Sequence, residues 1–184
     1  MKFLLTSADL ICTDDGPNYF ETDFLKNTFY YRLYQSAPNW EENINFGDTH
    51  DRRSSHSICA YYKLASEHKN GHAQWLAELV REKFLFREAY QSKVFPGILP
   101  EAFLEFIWYN PTIESQVPYK LPLNKNFPDL GLVVMRSGWD KDATHFSFKS
   151  SPPGGHKQWR ISWELNKKNN WRTRSLTHYH VDFN

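Results

Sequence analysis

The chain is short of cysteine, of long apolar runs and of excess charge of either sign, and each shortage removes a class of protein. Cys12 and Cys59 are its two cysteines, far apart and without a CxxC pair. A disulfide-built scaffold and a cysteine metal knuckle are therefore excluded, and two buried free thiols are expected. Lys and Arg number 22 against 21 Asp and Glu, so no whole-chain field draws the protein to nucleic acid, and none is expected as a partner. No run of about 18 apolar residues occurs, so the sequence predicts no membrane span. Met1-Lys2-Phe3-Leu4-Leu5 imitates the start of a signal peptide. Asp9 interrupts it, and no small-residue cleavage site follows before Asp14-Asp15, so no signal peptide is expected. What the chain has in quantity is aromatic: Phe, Trp and Tyr make up 17% of it, within a hydrophobic total of 40%. That is too apolar for a disordered tail and enough for one core or pieces of two.

The first part of the chain has helical spacing. Leu4, Leu5, Ala8 and Ile11 recur every three or four residues, and Asp14-Asp15-Gly16-Pro17 closes the segment. Thr22 or Asp23 can cap a second helix with Leu25, Phe29 and Leu33 on one stripe, ending before Pro38. Ser54 or Ser55 can cap a third, with Ile58, Tyr61, Tyr62 and Ala65 facing inward and Asn70-Gly71 breaking it. A fourth runs from about His72 to Phe86, its apolar face formed by Trp75, Leu76, Leu79, Val80 and Phe84. A fifth starts at Pro100 and continues through Phe103, Leu104, Ile107 and Trp108; apolar almost all round, it is expected to be deeply buried. Such helices fit antiparallel pairs in a layered array.

Between Tyr109 and Pro128, four prolines fall among polar residues with no stripe, which reads as an extended linker and a domain boundary. After it the period becomes two. Leu130 to Met135 reads as a buried strand, Ser137-Gly138-Trp139-Asp140 as a turn, and Thr144 to Lys149 as a strand with Phe146 and Phe148 on one face. Leu176 to Asn184 is the next expected strand. The residues between, Ser151 to Arg174, open with Pro152-Pro153-Gly154-Gly155 and read as a long loop. The fold class is α+β.

The last expected strand carries chemistry. Alternation would send His178, His180 and Asp182 to one face and Tyr179, Val181 and Phe183 to the other. Two imidazoles and a carboxylate on one surface suit metal ligation or acid/base work, although surface histidine pairs are also frequent. Two ligands do not close a zinc site, which takes about four.

Three runs together resemble the heparinase II/III-like polysaccharide lyases: Phe127 to Asp140, with its Met135-Arg136-Ser137-Gly138-Trp139 core; Pro152 to Trp159; and His178-Tyr179-His180-Val181-Asp182-Phe183-Asn184. Asn45-Phe46-Gly47-Asp48-Thr49-His50-Asp51-Arg52-Arg53 resembles the same group. The resemblance implies an incomplete α/α toroid of helical hairpins over residues 1–109, a linker over 110–127 and the first strands of an antiparallel β-sandwich over 128–184. It implies an acidic polysaccharide substrate, a glycosaminoglycan or alginate, and export of the intact enzyme to the periplasm or beyond. His178 would be catalytic and His180 a zinc ligand, with Asp182 behind a ligating imidazole to fix its tautomer. The family's catalytic tyrosine and a further histidine would precede Met1, and an aspartate and a histidine completing the metal site would follow Asn184. An internal fragment supplying one zinc ligand is therefore expected, with self-association through uncovered apolar faces.

His156, Trp159, Arg160 and Arg174 are the expected substrate contacts, since aromatic faces mixed with cations suit an acidic sugar chain. The plainer alternative is that the tryptophans pack the loop, the cations form a solvated face and His156 is idle. Asp48, Asp51, Arg52 and Arg53 read first as ion pairs at a helix start and second as cleft lining. Two other functions stay open: a carbohydrate-binding module without catalysis, and a zinc-dependent hydrolase. Phe183 weighs against the hydrolase, because a further histidine often stands there in such motifs.

Overall fold

The computed structural model describes residues 18–40, 42–43, 57–83, 102–150, 159–167 and 170–176. Helices and one antiparallel sheet make an α+β fold. The chain divides into two compact units, one of Met1–Leu33 with Arg53–Pro118, the other of Tyr34–Arg52 with Tyr119–Asn184. No helix among the described residues is long and apolar enough to cross a membrane.

The first unit is helical. Helix α1, Asp23–Gln35, follows Thr22, whose hydroxyl accepts from Leu25 N at 3.4 Å. Leu25, Phe29 and Leu33, four residues apart, are buried as their spacing predicts; each contributes roughly 1.5–3 kcal/mol by leaving water. Phe29 meets the Tyr61 ring edge-on at 5.8 Å, and Arg32 Nε donates to the Tyr61 hydroxyl at 3.0 Å. Helix α2, Ile58–His68, starts after Ser57, which makes no side-chain cap bond; Ser54 and Ser55, the expected caps, lie outside the described residues. All residues from Ile58 to Ala65 are buried, because α2 packs against both α3, Gly71–Lys83, and α4, Ala102–Trp108. Lys63 is enclosed with them. Its ammonium pairs with Glu67 at 2.8 Å and lies over the Phe20 and Trp108 rings at 5.0 and 5.9 Å, which offsets its loss of water.

The turn between α2 and α3 is tight. Lys69 takes a left-handed conformation, φ 48°, and the N–H groups of Lys69 and Asn70 return to Ala65 O. Asn70 then caps α3, its Oδ1 accepting from His72 N and Ala73 N at 3.0 and 3.1 Å. Ala73, Leu76, Ala77 and Val80 form the buried stripe of α3. Helix α4 departs from expectation: Trp108 is buried, but Phe103, Phe106 and Ile107 are 60, 87 and 63% exposed. Seven residues make about two turns, and one side of so short a helix suffices to seat Trp108. The expected helix at Leu4 to Ile11 and residues 84–86 lie outside the described residues.

The second unit is a five-stranded meander in the order β1 Asn124–Phe127, β2 Leu132–Arg136, β3 His145–Ser150, β4 Trp159–Lys167 and β5 Asn170–Leu176, every neighbour antiparallel. Strand β1 occupies residues read from the sequence as linker. It is polar, and its pairing with β2, from Asn124↔Met135 to Phe127↔Leu132, supplies what its composition does not. Strand β2 begins at Leu132 instead of Leu130 because Pro128–Leu130 forms a 3-10 turn, ended by Gly131 at φ 55°. The expected loop Ser151–Arg174 is corrected: β4 and most of β5 lie within it as a hairpin, with Lys167 opposite Asn170. Trp159, Ile161, Trp163 and Leu165 alternate at period two, and that signal outweighs the Pro-Gly opening.

Candidate functional site

Of the site residues expected from the sequence, His156, His178, His180 and Asp182 lie outside the described residues. Trp159 and Arg160 open β4 opposite Ser150 and Lys149, and Arg174 lies in β5 opposite Trp163. The backbone ladder puts Trp159, Trp163 and Arg174 in one alternating set and Arg160 in the other. The register thus sets Arg174 beside Trp163, leaves Trp159 four residues along β4 in the same set, and puts Arg160 in the other. Among the described residues, no group of three or more His, Cys, Asp and Glu could hold a metal ion. Cys59 is buried and forms no disulfide among the described residues; Cys12 lies outside them.

The described sheet does contain an unusual polar layer. Period-two alternation buries Leu132, Val134 and Arg136 of β2 and His145 and Ser147 of β3, with Arg136 opposite His145 and Val134 opposite Ser147. A strap from Tyr34 to Asn43 covers them, closed by the Ser36–Asn43 bridge and by Ala37 N donating to Glu42 O at 2.8 Å. His145 Nε2 donates to Tyr34 O at 2.8 Å, and Arg136 Nη2 to Ser36 O at 2.8 Å. The Arg136 guanidinium lies 4.0 Å from the centre of Trp139 and 5.8 Å from that of Trp40, two rings stacked within 5° of parallel. Trp139 Nε1 donates to Leu121 O at 3.1 Å, and the Tyr34 hydroxyl to Pro122 O at 2.8 Å.

The electrostatics follow from burial. Arg136 is brought down to about 10 by loss of water, opposed by Tyr34. His145 is lowered to about 4, first by burial and then by the Arg136 charge, while its bond to the Tyr34 carbonyl opposes both. At neutral pH the arginine is charged and the imidazole neutral. Because Nε2 carries the proton donated to Tyr34 O, Nδ1 keeps its lone pair. That Nδ1, Arg136 Nε and Nη1, Ser147 Oγ and the amides of Gln35 and Asn43 have no hydrogen-bond partner among the described residues. The layer anchors the strap and presents no group to solvent, so its chemistry is that of a clamp. Arg136 and Trp139, which carry part of the family resemblance, thereby have a structural role.

The open surface lies in the helical unit, where the α2–α3 turn borders a cavity of about 550 Å³ lined by Tyr30, Glu67, His68, Lys69, His72 and Gln116 among others. His72 Nδ1 donates to Gln116 O at 2.9 Å, which fixes the ring. His68 is held below the ordinary histidine value, chiefly by burial. The sequence reading missed this surface. Its signal was Lys69-Asn70-Gly71-His72, read only as a helix break. No family model matches the chain.

Proposed function

We propose that this chain belongs to a polysaccharide lyase of the heparinase II/III-like kind, cutting a uronic-acid-containing polysaccharide by β-elimination. The observation that carries the reading is the coincidence of sequence motif and element order. Helical hairpins come first, then an antiparallel sheet whose second strand ends at Arg136 and is followed by Ser137-Gly138-Trp139, then His178-Tyr179-His180-Val181-Asp182 in the sequence. In the finer form of the proposal the helices belong to an α/α toroid and the sheet to a β-sandwich, and the enzyme works in the periplasm or outside the cell.

In β-elimination a base takes the proton on the carbon beside the uronate carboxylate. The electron pair forms a double bond to the next carbon, whose glycosidic C–O bond breaks, and an acid protonates the departing oxygen. Neutralising the carboxylate charge lowers the barrier to the first step. His178 would take part in proton transfer or carboxylate neutralisation. His156, Trp159 and Arg174 would hold the acidic chain, the tryptophan by its face and the arginine by paired N–H groups, while Arg160, in the other alternating set of the ladder, stands apart from them. A zinc ion is implied with His180 as one ligand and Asp182 behind it; when bound it would supply a fixed positive charge at the site. None of its implied ligands is among the described residues, and the proton transfers above run through side chains alone.

The test is incubation of the enzyme to which this chain belongs with glycosaminoglycans and with alginate, followed in the ultraviolet for the unsaturated uronate. His178→Ala should lower the rate by about 100-fold to 10,000-fold. Retention of polysaccharide without any ultraviolet-absorbing product would overturn the lyase reading in favour of a binding module.

A further inference from the structure

The cavity at the α2–α3 turn does not stand alone. A second, of about 370 Å³, is lined by Asn110, Thr112 and Glu114, and shares Lys69, Gly71 and Gln116 with the first. Each volume falls within the roughly 300–1,000 Å³ of small-molecule sites, and the two adjoin across a shared wall within the helical unit, together termed the groove.

Its walls are set in place. Gln116 N donates to Gly71 O at 2.9 Å, and a Cβ on Gly71 would stand 2.5 Å from Glu114 O, so the 114–116 backbone lies directly on the start of α3. Asn110 Oδ1 accepts from the Thr112 backbone N at 3.0 Å and from its hydroxyl at 2.7 Å. Lys69 holds a left-handed conformation that glycine adopts more readily, so a lysine there is kept at some cost in stability.

The chemistry of the lining is mixed and nearly neutral. Lys26 is tied to Glu21 at 2.6 Å and Glu67 to Lys63 at 2.8 Å. What else faces the groove includes an imidazole fixed through its Nδ1, the His68 ring, the Gln116 amide, the Asn110 and Thr112 polar groups, the Glu114 carboxylate, the Tyr30 ring and the Lys69 ammonium. Such a set offers donors and acceptors at close intervals, as vicinal hydroxyls require, with one cation on the shared wall.

We propose that this groove is a saccharide subsite that takes a pyranose chain by its hydroxyls and meets one acidic substituent with Lys69. The choice of a saccharide rests on the lyase reading; the groove and its polar lining do not. The test uses the full chain, with a uronate hexasaccharide and a neutral maltohexaose as probes, read by calorimetry and by the NMR signal of the His72 ring. Both probes should shift the His72 signal. The acidic one should bind several-fold tighter, an advantage that Lys69→Gly removes while relieving the backbone. His72→Ala should weaken both by about tenfold. An unmoved His72 signal in the unmodified protein, or binding untouched by both substitutions, overturns the subsite and leaves the lyase reading standing. Groove binding with no elimination product from any polymer, when the enzyme to which the chain belongs is assayed, sustains the subsite and sinks the lyase.

Discussion

The neutral, enclosed imidazole of His145 makes acid sensitivity calculable. In the folded chain it titrates at about 4, against an ordinary 6.5. The unfolded chain therefore takes up a proton first as the pH falls. The stability contributed by keeping His145 neutral is complete above pH 6.5 and is lost progressively as the pH drops toward 4, where the folded form finally protonates. Over that gap the loss is roughly 3 kcal/mol, at about 1.36 kcal/mol per pH unit, a large part of the 5–15 kcal/mol typical of a domain. By pH 5 about 2 kcal/mol should be gone, equivalent to roughly 1 M in the urea midpoint. His68, also lowered by burial, acts in the same direction, so the informative quantity is a difference. His145→Gln keeps an amide donor for Tyr34 O but cannot titrate. Urea midpoints of the wild type should converge on those of the variant, or fall below them, between pH 7 and 5. The Cε1 proton of His145 should meanwhile stay unshifted above pH 5. Midpoints that decline in parallel, or a His145 signal titrating near 6.5, would refute the burial argument.

Gly71→Ala should lower stability by about 1–3 kcal/mol through overpacking, because its Cβ would stand 2.5 Å from a backbone oxygen. Gly138→Ala meets only the movable Asp140 carboxylate and should cost far less, both read from urea midpoints. Arg136→Met, replacing a buried cation that has no carboxylate partner among the described residues, should be neutral or stabilising, whereas Arg136→Ala, which empties the space beside Trp139, should cost about 2–4 kcal/mol in the thermal or urea midpoint.

Helices α1, α2 and α3 were legible because each buries a stripe whose spacing is written locally: Leu25, Phe29 and Leu33, then Ile58, Tyr61 and Tyr62, then Leu76 and Val80. The cap of α1 was legible too, since Thr22 is the residue type the helix start needs. Strand β1 was not, because Asn124 and Asn126 have low strand propensity and take their conformation from β2. The β4–β5 hairpin was readable in its alternating Trp159, Ile161 and Trp163 but was overridden by the preceding prolines and glycines. The polar layer could be half seen. Period two places Arg136 and His145 on the buried face, but nothing local says that residues a hundred positions earlier cover them. The groove at the α2–α3 turn left only its Lys69-Asn70-Gly71-His72 signal, since Gln116 meets His72 only in the folded chain.

The strap also sets a schedule for folding. Its two anchors join residues 100 and 111 positions apart, Ser36 to Arg136 and Tyr34 to His145. At a synthesis rate of about 5–20 residues per second, Tyr34 to Asn43 leave the ribosome roughly 5–20 seconds before the strands they cover. Throughout that interval Trp40 has no Trp139 to stack on, and the amides of Gln35 and Asn43 remain hydrated. Neighbouring strands of the meander can then pair by short-range closure as they emerge, while the strap awaits a long-range one, so its docking is expected as a late step in completing the sheet.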